Sequence, residues 1–213
     1  MAHSLLETLW QGRAAQYEFR AYGSQPAADW GVDFRETWNS VQHLHKMIGT
    51  KFLFMELGVY EARSGCFMLD FVLTHPESRY VGVDKWDGEH GEEQYAVATR
   101  NLGKHAKERW KLVKGMSPRV FFNSKLFQPF TYDVIYVDGG HVAAQALRDV
   151  VFVWEMLKKH GVLIVDDYEN RDNWVCSQPV TQGVNNWLRV QPDWMYTVLK
   201  KKKQLVVVKN GEF

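Results

Sequence analysis

The chain's 213 residues, 46% of them apolar and 14% aromatic, suffice to bury a substantial core without crosslinks, with one globular unit as the default. Its 26 basic and 25 acidic residues leave a net charge of +1, a balance that gives no broad footprint for phosphate backbones and argues against a nucleic-acid partner. Cys66 and Cys176 lack the spacing of a metal site, the amino terminus lacks the order of a signal peptide, and no apolar run approaches the roughly 20 residues a membrane helix needs; a disulfide scaffold and a membrane partner are excluded, and a cytoplasmic location is expected.

Residues 1–50 place apolar side chains at helical spacing, first Leu5, Leu6, Leu9 and Trp10, then Phe34, Trp38, Val41, Leu44 and Ile48. Between them Tyr22-Gly-Ser-Gln-Pro-Ala-Ala28 reads as a loop. This segment is a helical extension that either caps the ligand-binding edge or packs on the sheet's flank. Residues 51–213 form the main domain. The pattern there predicts strand 52–57, helix 64–74, strand 80–84, helix 92–105, strand 111–114 and a helical or irregular turn over 117–126. Strand 133–137, helix 142–159, strand 161–166, helix 181–190 and strands 194–199 and 204–209 follow. In helix 142–159 the apolar stripe is Ala143, Leu147, Val150, Val151, Trp154 and Leu157, while Lys158, Lys159, His160 and Gly161 supply basic charge and a stop at its C-terminus. Lys200-Lys-Lys-Lys203 reads as a solvated hairpin turn. Short continuous apolar runs alternating with helices indicate a parallel sheet covered on both faces. The right-handed crossover rule then closes the chain into an α/β fold, a doubly wound three-layer sandwich whose mostly parallel seven-stranded sheet ends in an antiparallel hairpin.

Four of these strands end in acids: Glu56, Asp84, Asp138 and the pair Asp166-Asp167. In such sheets ligands bind at the carboxyl ends of the strands. After the first strand, Glu56-Leu-Gly58-Val-Tyr60-Glu-Ala-Arg-Ser64-Gly65 offers a tight turn at Gly58 and amide donors near Ser64. Tyr60 and Arg63 stand where a dinucleotide fingerprint wants glycine, which argues against a pyrophosphate cradle. Asp84 can accept hydrogen bonds from both hydroxyls of a ribose. Trp86, two residues on, either stacks on a base or shields the loop. The fourth strand delivers Asp138-Gly-Gly-His141, and the fifth delivers Asp166-Asp167-Tyr168. Neighbouring strands bring Asp138, Asp166 and Asp167 together, and crowded carboxylates call for protons or a hard cation, most simply Mg²⁺. The loop 87–93 reads as a lid or a solvated connection, and Tyr168 and Trp174 as an aromatic-lined acceptor pocket or as core. His43, His45 and His90 lack an acid partner at defined spacing.

Glu56-x-Gly58-x-Tyr60-x-x-x-Ser64 resembles motif I of the class I S-adenosylmethionine-dependent methyltransferases, particularly the catechol O-methyltransferase-like group, with Ala62 in place of a frequent glycine. The resemblance implies a Rossmann-like form of the sandwich, with Glu56, Gly58, Tyr60 and Ser64 around the methionine part of the cofactor and Asp84 on its ribose. Gly115-Met116-Ser117 is similar to the family's loop beside the adenine, which gives Met116 and Ser117 that role, with Trp86 nearby. Asp166-Asp167 stands where catechol-type enzymes carry Asp-Asn, and is closer to the sugar O-methyltransferases of antibiotic pathways. The implied metal ligands are Asp138, Asp166 and Asp167; Asp138 also touches the cofactor and takes part in catalysis, and His141 stands where catechol-type enzymes carry a basic lysine, making it the candidate base. The expected activity is Mg²⁺-assisted methyl transfer to a hydroxyl of a small-molecule acceptor. An RNA ribose methyltransferase is a weaker reading, since acids occupy the place of its fifth-strand lysine. A non-catalytic cofactor-binding protein is weaker too, because it has no reason to keep mutually repelling acids. The resemblance runs from about Phe52 to Asp167, and homo-oligomerisation is left open.

Overall fold

The computed structural model describes residues 5–20, 31–123, 128–169 and 179–212. Three helices, α1 (Leu5–Ala14), α2 (Val32–Ser40) and the short α3 (Gln42–His45), precede the sheet. There follow β1 (Leu53–Leu57), α4 (Arg63–Phe67) continued by a π-helical turn at Met68–Val72, β2 (Arg79–Asp84), α5 (Gly91–Leu102), β3 (Trp110–Lys114), α6 (Ser117–Asn123) and β4 (Tyr132–Val137). Then come α7 (Ala143–Met156), β5 (Leu157–Val165), α8 (Val180–Val190), β6 (Tyr196–Lys201) and β7 (Leu205–Lys209). The sheet order is β3-β2-β1-β4-β5-β7-β6, with β1 to β5 parallel and β7 antiparallel to both its neighbours. This is the doubly wound, mostly parallel α/β sandwich that the sequence predicts. The loop at 22–28 lies outside the described residues, as do Trp174 and Cys176.

Strand alternation divides the core in two. Phe54, Tyr80, Val134, Tyr136, Val162 and Ile164 face the layer built by α1 to α5, while Met55, Val81, Ile135, Val137, Leu163 and Val165 face α7 and α8. The N-terminal helices pack on the sheet flank: Trp10, Phe34, Trp38 and Leu44 are buried in the first layer. Arg35 is buried there too, its guanidinium held by two contacts to the Glu7 carboxylate at 2.7 and 3.1 Å and stacked 5.3 Å over Trp10. Such a pairing is what allows a charge inside a core. No helix among the described residues is long and apolar enough to cross a membrane.

Two local expectations are corrected. Helix α7 ends at Met156, three residues short of the predicted end, because Leu157 is extended and pairs with Tyr132 while the amides of Phe130 and Thr131 take up the last helical carbonyls of Glu155 and Met156. Lys158 then bonds Asp133 at 2.8 Å, and His160 takes a left-handed φ of 65° in the bulge that resets the register to Val134↔Val162. The buried stripe of α7 is accordingly Ala143, Ala146, Val150, Val153 and Trp154, and Val151 is exposed. The lysine block is not simply a solvated turn. Lys200 and Lys201 lie in β6, the Lys200 ammonium donates to Thr37 Oγ1 of α2 at 2.7 Å, and Lys203 sits 3.4 Å from Asp33 of the same helix.

In this order the winding reverses between β1 and β4, so the crevice at their carboxyl ends is the topological switch point where such sheets bind ligands. Glu56, Asp138 and Asp166 share their strand parity with Phe54, Tyr136 and Ile164, and Asp84 shares that of Tyr80. Alternation alone therefore puts all four acids on the face covered by α1 to α5.

Candidate active site

The loop after β1 is built from left-handed residues: Gly58 (φ 85°), Tyr60 (φ 53°) and Ala62 (φ 64°). Gly58 is required by contact as well as by conformation, since a Cβ there would lie 2.1 Å from the Asp138 carbonyl oxygen. The tips of β1 and β4 thus touch backbone to backbone, and the amide of Asp138 donates to Leu57 O at 2.8 Å. Ala62 keeps the left-handed path that glycine takes in the resembling motif, at a cost of roughly 1–2 kcal/mol for an L-residue. Ala62→Gly is expected to stabilise the protein by up to about 1 kcal/mol, part of the strain relief being offset by a more flexible unfolded chain; chemical denaturation reads this, and a destabilised variant would show that the Ala62 methyl, which is buried, matters more than the strain.

Asp84 pins this loop. Its Oδ2 accepts from the amides of Val59 (2.8 Å) and Tyr60 (2.9 Å), and its Oδ1 from that of Trp86 (3.2 Å). The indole of Trp86 is buried, donates to the Tyr60 carbonyl at 2.9 Å and meets Tyr95 edge-on at 4.8 Å. Of the two readings open for Trp86, loop support is the one these contacts serve. Tyr60 and Met116 stay exposed at the rim of the crevice. Gly115 (φ 150°) turns the chain after β3, its amide bonded to Asp84 O at 2.8 Å, and the Ser117 hydroxyl donates to Asp149 of α7.

Glu56 lies beneath the loop, 1% exposed, and accepts from the hydroxyls of Ser64 and Tyr80. Burial, with smaller contributions from the charges of Asp84 and Asp166, pushes its pKa up to about 8. The Glu56 carboxylate is taken up by these two hydroxyls and braces the loop from beneath. A folded value of about 8 against an ordinary 4.5 means that folding favours the protonated acid. The stability it contributes is complete below pH 4.5 and is lost as pH rises through about 8. Tm is expected to fall across that window, and Glu56→Gln to flatten part of the slope; an unchanged slope in the variant contradicts the assignment.

At the tips of β4 and β5 one ligand atom each from Asp138, His141 and Asp167 lie within 4.8 Å of one another. His141 Nδ1 is 2.6 Å from Asp167 Oδ2. Asp167 reaches this position through a left-handed φ of 54°, the kind of strained backbone that gathers at functional sites. The small cavity between the tips is lined by Asp138, Gly140, His141, Asp166 and Asp167. Asp166 lines it from behind: Gln204 donates to its Oδ1 at 2.6 Å, and its amide donates to Val137 O. Desolvation raises the Asp138 carboxyl well above the usual range, reinforced by Asp166, Asp167 and Glu56, and raises Asp166 to about 6. His141 is raised by its hydrogen bond to Asp167 and by the charges of Asp167 and Asp166, against an opposing effect of burial.

The structure therefore groups Asp138 and Asp167 with His141, the residue expected as base, and leaves Asp166 outside that group in the wall of the same cavity. Tyr136, Tyr80 and Gln204 also belong to the site and escaped the sequence reading. Tyr136 and Tyr80 share the parity of Asp138 and Asp84, which was a usable signal; Gln204 gave none. Tyr168 is core: it is 1% exposed, and its hydroxyl donates to Asn185 of α8 at 2.6 Å. The loop at 87–93 is tied down by charge, with Lys85 3.1 Å from Asp87, Lys114 on Glu92 and Arg20 on Glu93. His43 and His45 are exposed on α3, away from the acids.

A family model described as a methyltransferase domain matches residues 55–168, more than half of the chain, running from inside β1 past the end of β5. The chain belongs to this methyltransferase family. Family and sheet order together make it a class I S-adenosylmethionine-dependent methyltransferase. No curated protein matches the sequence significantly. Among solved structures, the O-methyltransferase from Bacillus cereus in complex with SAH is similar with a TM-score of 0.60 at 17% identity, over 96% of this chain and 90% of that one. TomG, an O-methyltransferase from Streptomyces achromogenes involved in tomaymycin synthesis and solved with SAM, gives 0.58 at 15% identity over 79% and 78%. MycE, of the mycinamycin biosynthetic pathway and solved with Mg, SAH and mycinamycin VI, gives 0.58 at 14% identity, over 98% of this chain and 55% of MycE. At such identities the likeness is one of fold. The matched segment of the methyltransferase holds every acid of the switch-point crevice.

Proposed function

We propose that the methyltransferase transfers a methyl group from S-adenosylmethionine to a hydroxyl of a small molecule, with His141 as the general base and a divalent cation beside it. The observation that carries this reading is the convergence of Asp138, His141 and Asp167 at the switch point. The cofactor would supply a methyl carbon on a sulfonium, open to in-line attack by an aligned oxygen, with the C–S electron pair leaving on the thioether of S-adenosylhomocysteine. In this reading the backbone of Gly58 to Tyr60 cradles the methionine part, the Asp84 carboxylate takes the ribose hydroxyls, and Met116 and Ser117 border the adenine. Glu56, Ser64 and Trp86 hold that loop in shape.

His141 fits its role by geometry. With Nδ1–H on Asp167, Nε2 is the basic nitrogen of the ring, the atom that would take the acceptor's proton. The donor set also fits a small divalent ion: carboxylates to balance its charge, an imidazole nitrogen near, and crowded acids whose mutual repulsion a cation relieves. Asp138 and Asp167 would hold the ion, which when bound lowers the pKa of the acceptor hydroxyl and orients it. Of the similar solved structures, TomG is involved in tomaymycin synthesis and MycE was solved with mycinamycin VI, which supports a small-molecule acceptor here.

Calorimetry with S-adenosylmethionine, with and without Mg²⁺, tests the reading. Saturable cofactor binding is expected, together with a separate Mg²⁺ heat that Asp138→Asn abolishes. Affinity for a nicotinamide nucleotide in place of S-adenosylmethionine overturns it, and turnover of hydroxylated acceptors indifferent to a chelator overturns the cation alone.

A further inference from the structure

We propose that Gln204, Tyr136 and Asp166 form a buried positioning relay that holds the Asp138 carboxylate toward the cation, and that Asp166 itself is not a ligand. The proposal rests on the cation reading of this site and deepens it.

One oxygen of Asp166 is already engaged. Its Oδ1 accepts from the Gln204 side-chain amide at 2.6 Å, and the Tyr136 hydroxyl stands beside the same carboxylate. The Tyr136 hydroxyl donates to Asp138 Oδ2 at 3.2 Å, so one phenol stands between the two acids. Its single proton serves one of them at a time. The grouping of ligand atoms that a cation needs contains Asp138, His141 and Asp167, and Asp166 is not part of it.

Gln204 shows what the relay demands. It is 1% exposed, and its Oε1 is buried with no hydrogen-bond partner among the described residues. An unmade bond on a buried amide costs free energy that an aliphatic side chain of the same length would avoid. The cost is tolerated because the other end of the amide donates to Asp166; flipping the group would set oxygen against carboxylate. Polar chemistry, then, fixes this residue rather than packing.

The relay is braced from both sides. The Tyr136 ring lies 4.4 Å from that of Phe34 on α2. The hairpin carrying Gln204 is tied to the same helix through Lys200 with Thr37 and Lys203 with Asp33, and to the end of β5 through the Tyr168 amide, which donates to Lys203 O at 2.8 Å. Helix α2 and the β6–β7 hairpin, neither of them in the family-matched segment, thus set the position of an acid at the reaction centre.

The test is Mn²⁺ binding by calorimetry and by the electron paramagnetic resonance of the free ion, without cofactor or acceptor, on the full chain and on Gln204→Met, Tyr136→Phe, Asp166→Asn and Asp138→Asn. Thermal unfolding of each establishes that it folds. Stoichiometric binding is expected to persist in Gln204→Met, Tyr136→Phe and Asp166→Asn with a Kd weakened ~10–100-fold, the range typical of groups that orient metal ligands, and to be lost in Asp138→Asn. In turnover assays kcat is expected to fall in the first two variants at saturating Mn²⁺ while KM for S-adenosylmethionine holds. Loss of binding in Asp166→Asn as complete as in Asp138→Asn makes Asp166 a ligand and overturns the proposal. Wild-type Kd and kcat in both Gln204→Met and Tyr136→Phe overturn it as well, and these two variants decide the matter if Asp166→Asn fails to fold. An unsubstituted protein that binds no Mn²⁺ overturns the cation reading, and the relay with it.

Discussion

Replacing His141 by alanine is expected to lower kcat by ~10²–10⁴-fold while KM for S-adenosylmethionine stays within a few-fold, the pattern of a residue that acts on a proton in the transition state and not on cofactor binding. The side chain is half exposed at the mouth of the cavity, and Asp167 fixes its ring through Nδ1. That hydrogen bond favours the imidazolium, so the pKa is raised above the ordinary histidine value. Only the neutral ring accepts a proton. Activity should therefore climb as pH rises through the His141 pKa of the loaded site, and this limb of the kcat profile should disappear in His141→Ala. Asp167→Asn should move the limb to lower pH as well as weaken turnover, because it removes the charge that stabilises the imidazolium. Normal turnover with an unchanged profile in His141→Ala would remove the base from the mechanism.

The second large effect is steric. Gly58→Ala is expected to destabilise the protein by at least ~3 kcal/mol and to reduce turnover by more than ~10²-fold, since strained backbone and buried overlap are among the few mechanisms that produce such losses. An alanine Cβ would lie 2.1 Å from Asp138 O, 2.5 Å from its carbonyl carbon and 2.8 Å from Gly139 Cα, all backbone atoms that no rotamer change can move. The φ of 85° adds its own penalty. Relief requires β1 and β4 to part at the switch point, which displaces Asp138 and the cofactor loop together. Urea denaturation and steady-state kinetics read the two losses; a Gly58→Ala protein with native stability would mean that the tips are not in contact.

Strand ends were the legible part of this molecule. A short apolar run closed by an acid is a local pattern, and a period of two then fixes which face Glu56, Asp84, Asp138 and Asp166 occupy. The doubly wound, mostly parallel architecture followed from alternation and crossover handedness. What escaped depends on distant partners or on backbone angles. Lys158 to His160 look like a basic helix end, and only the pairing of Leu157 with Tyr132 makes them a strand entry. Asp166 and Asp167 are adjacent and chemically alike, yet Gln204, 38 residues on, claims the first, while a left-handed turn swings the second toward His141. The lysines of the hairpin read as solvated because Asp33 and Thr37 are more than 160 residues away in the chain.

Diffraction at the manganese edge from crystals grown with Mn²⁺ and S-adenosylhomocysteine tests the site most directly. One anomalous peak is expected between the carboxylates of Asp138 and Asp167, with the ribose of the product cofactor on Asp84. A peak elsewhere, or a nucleoside lodged away from the β1–β4 crevice, would contradict the assignment of this crevice as the place of methyl transfer.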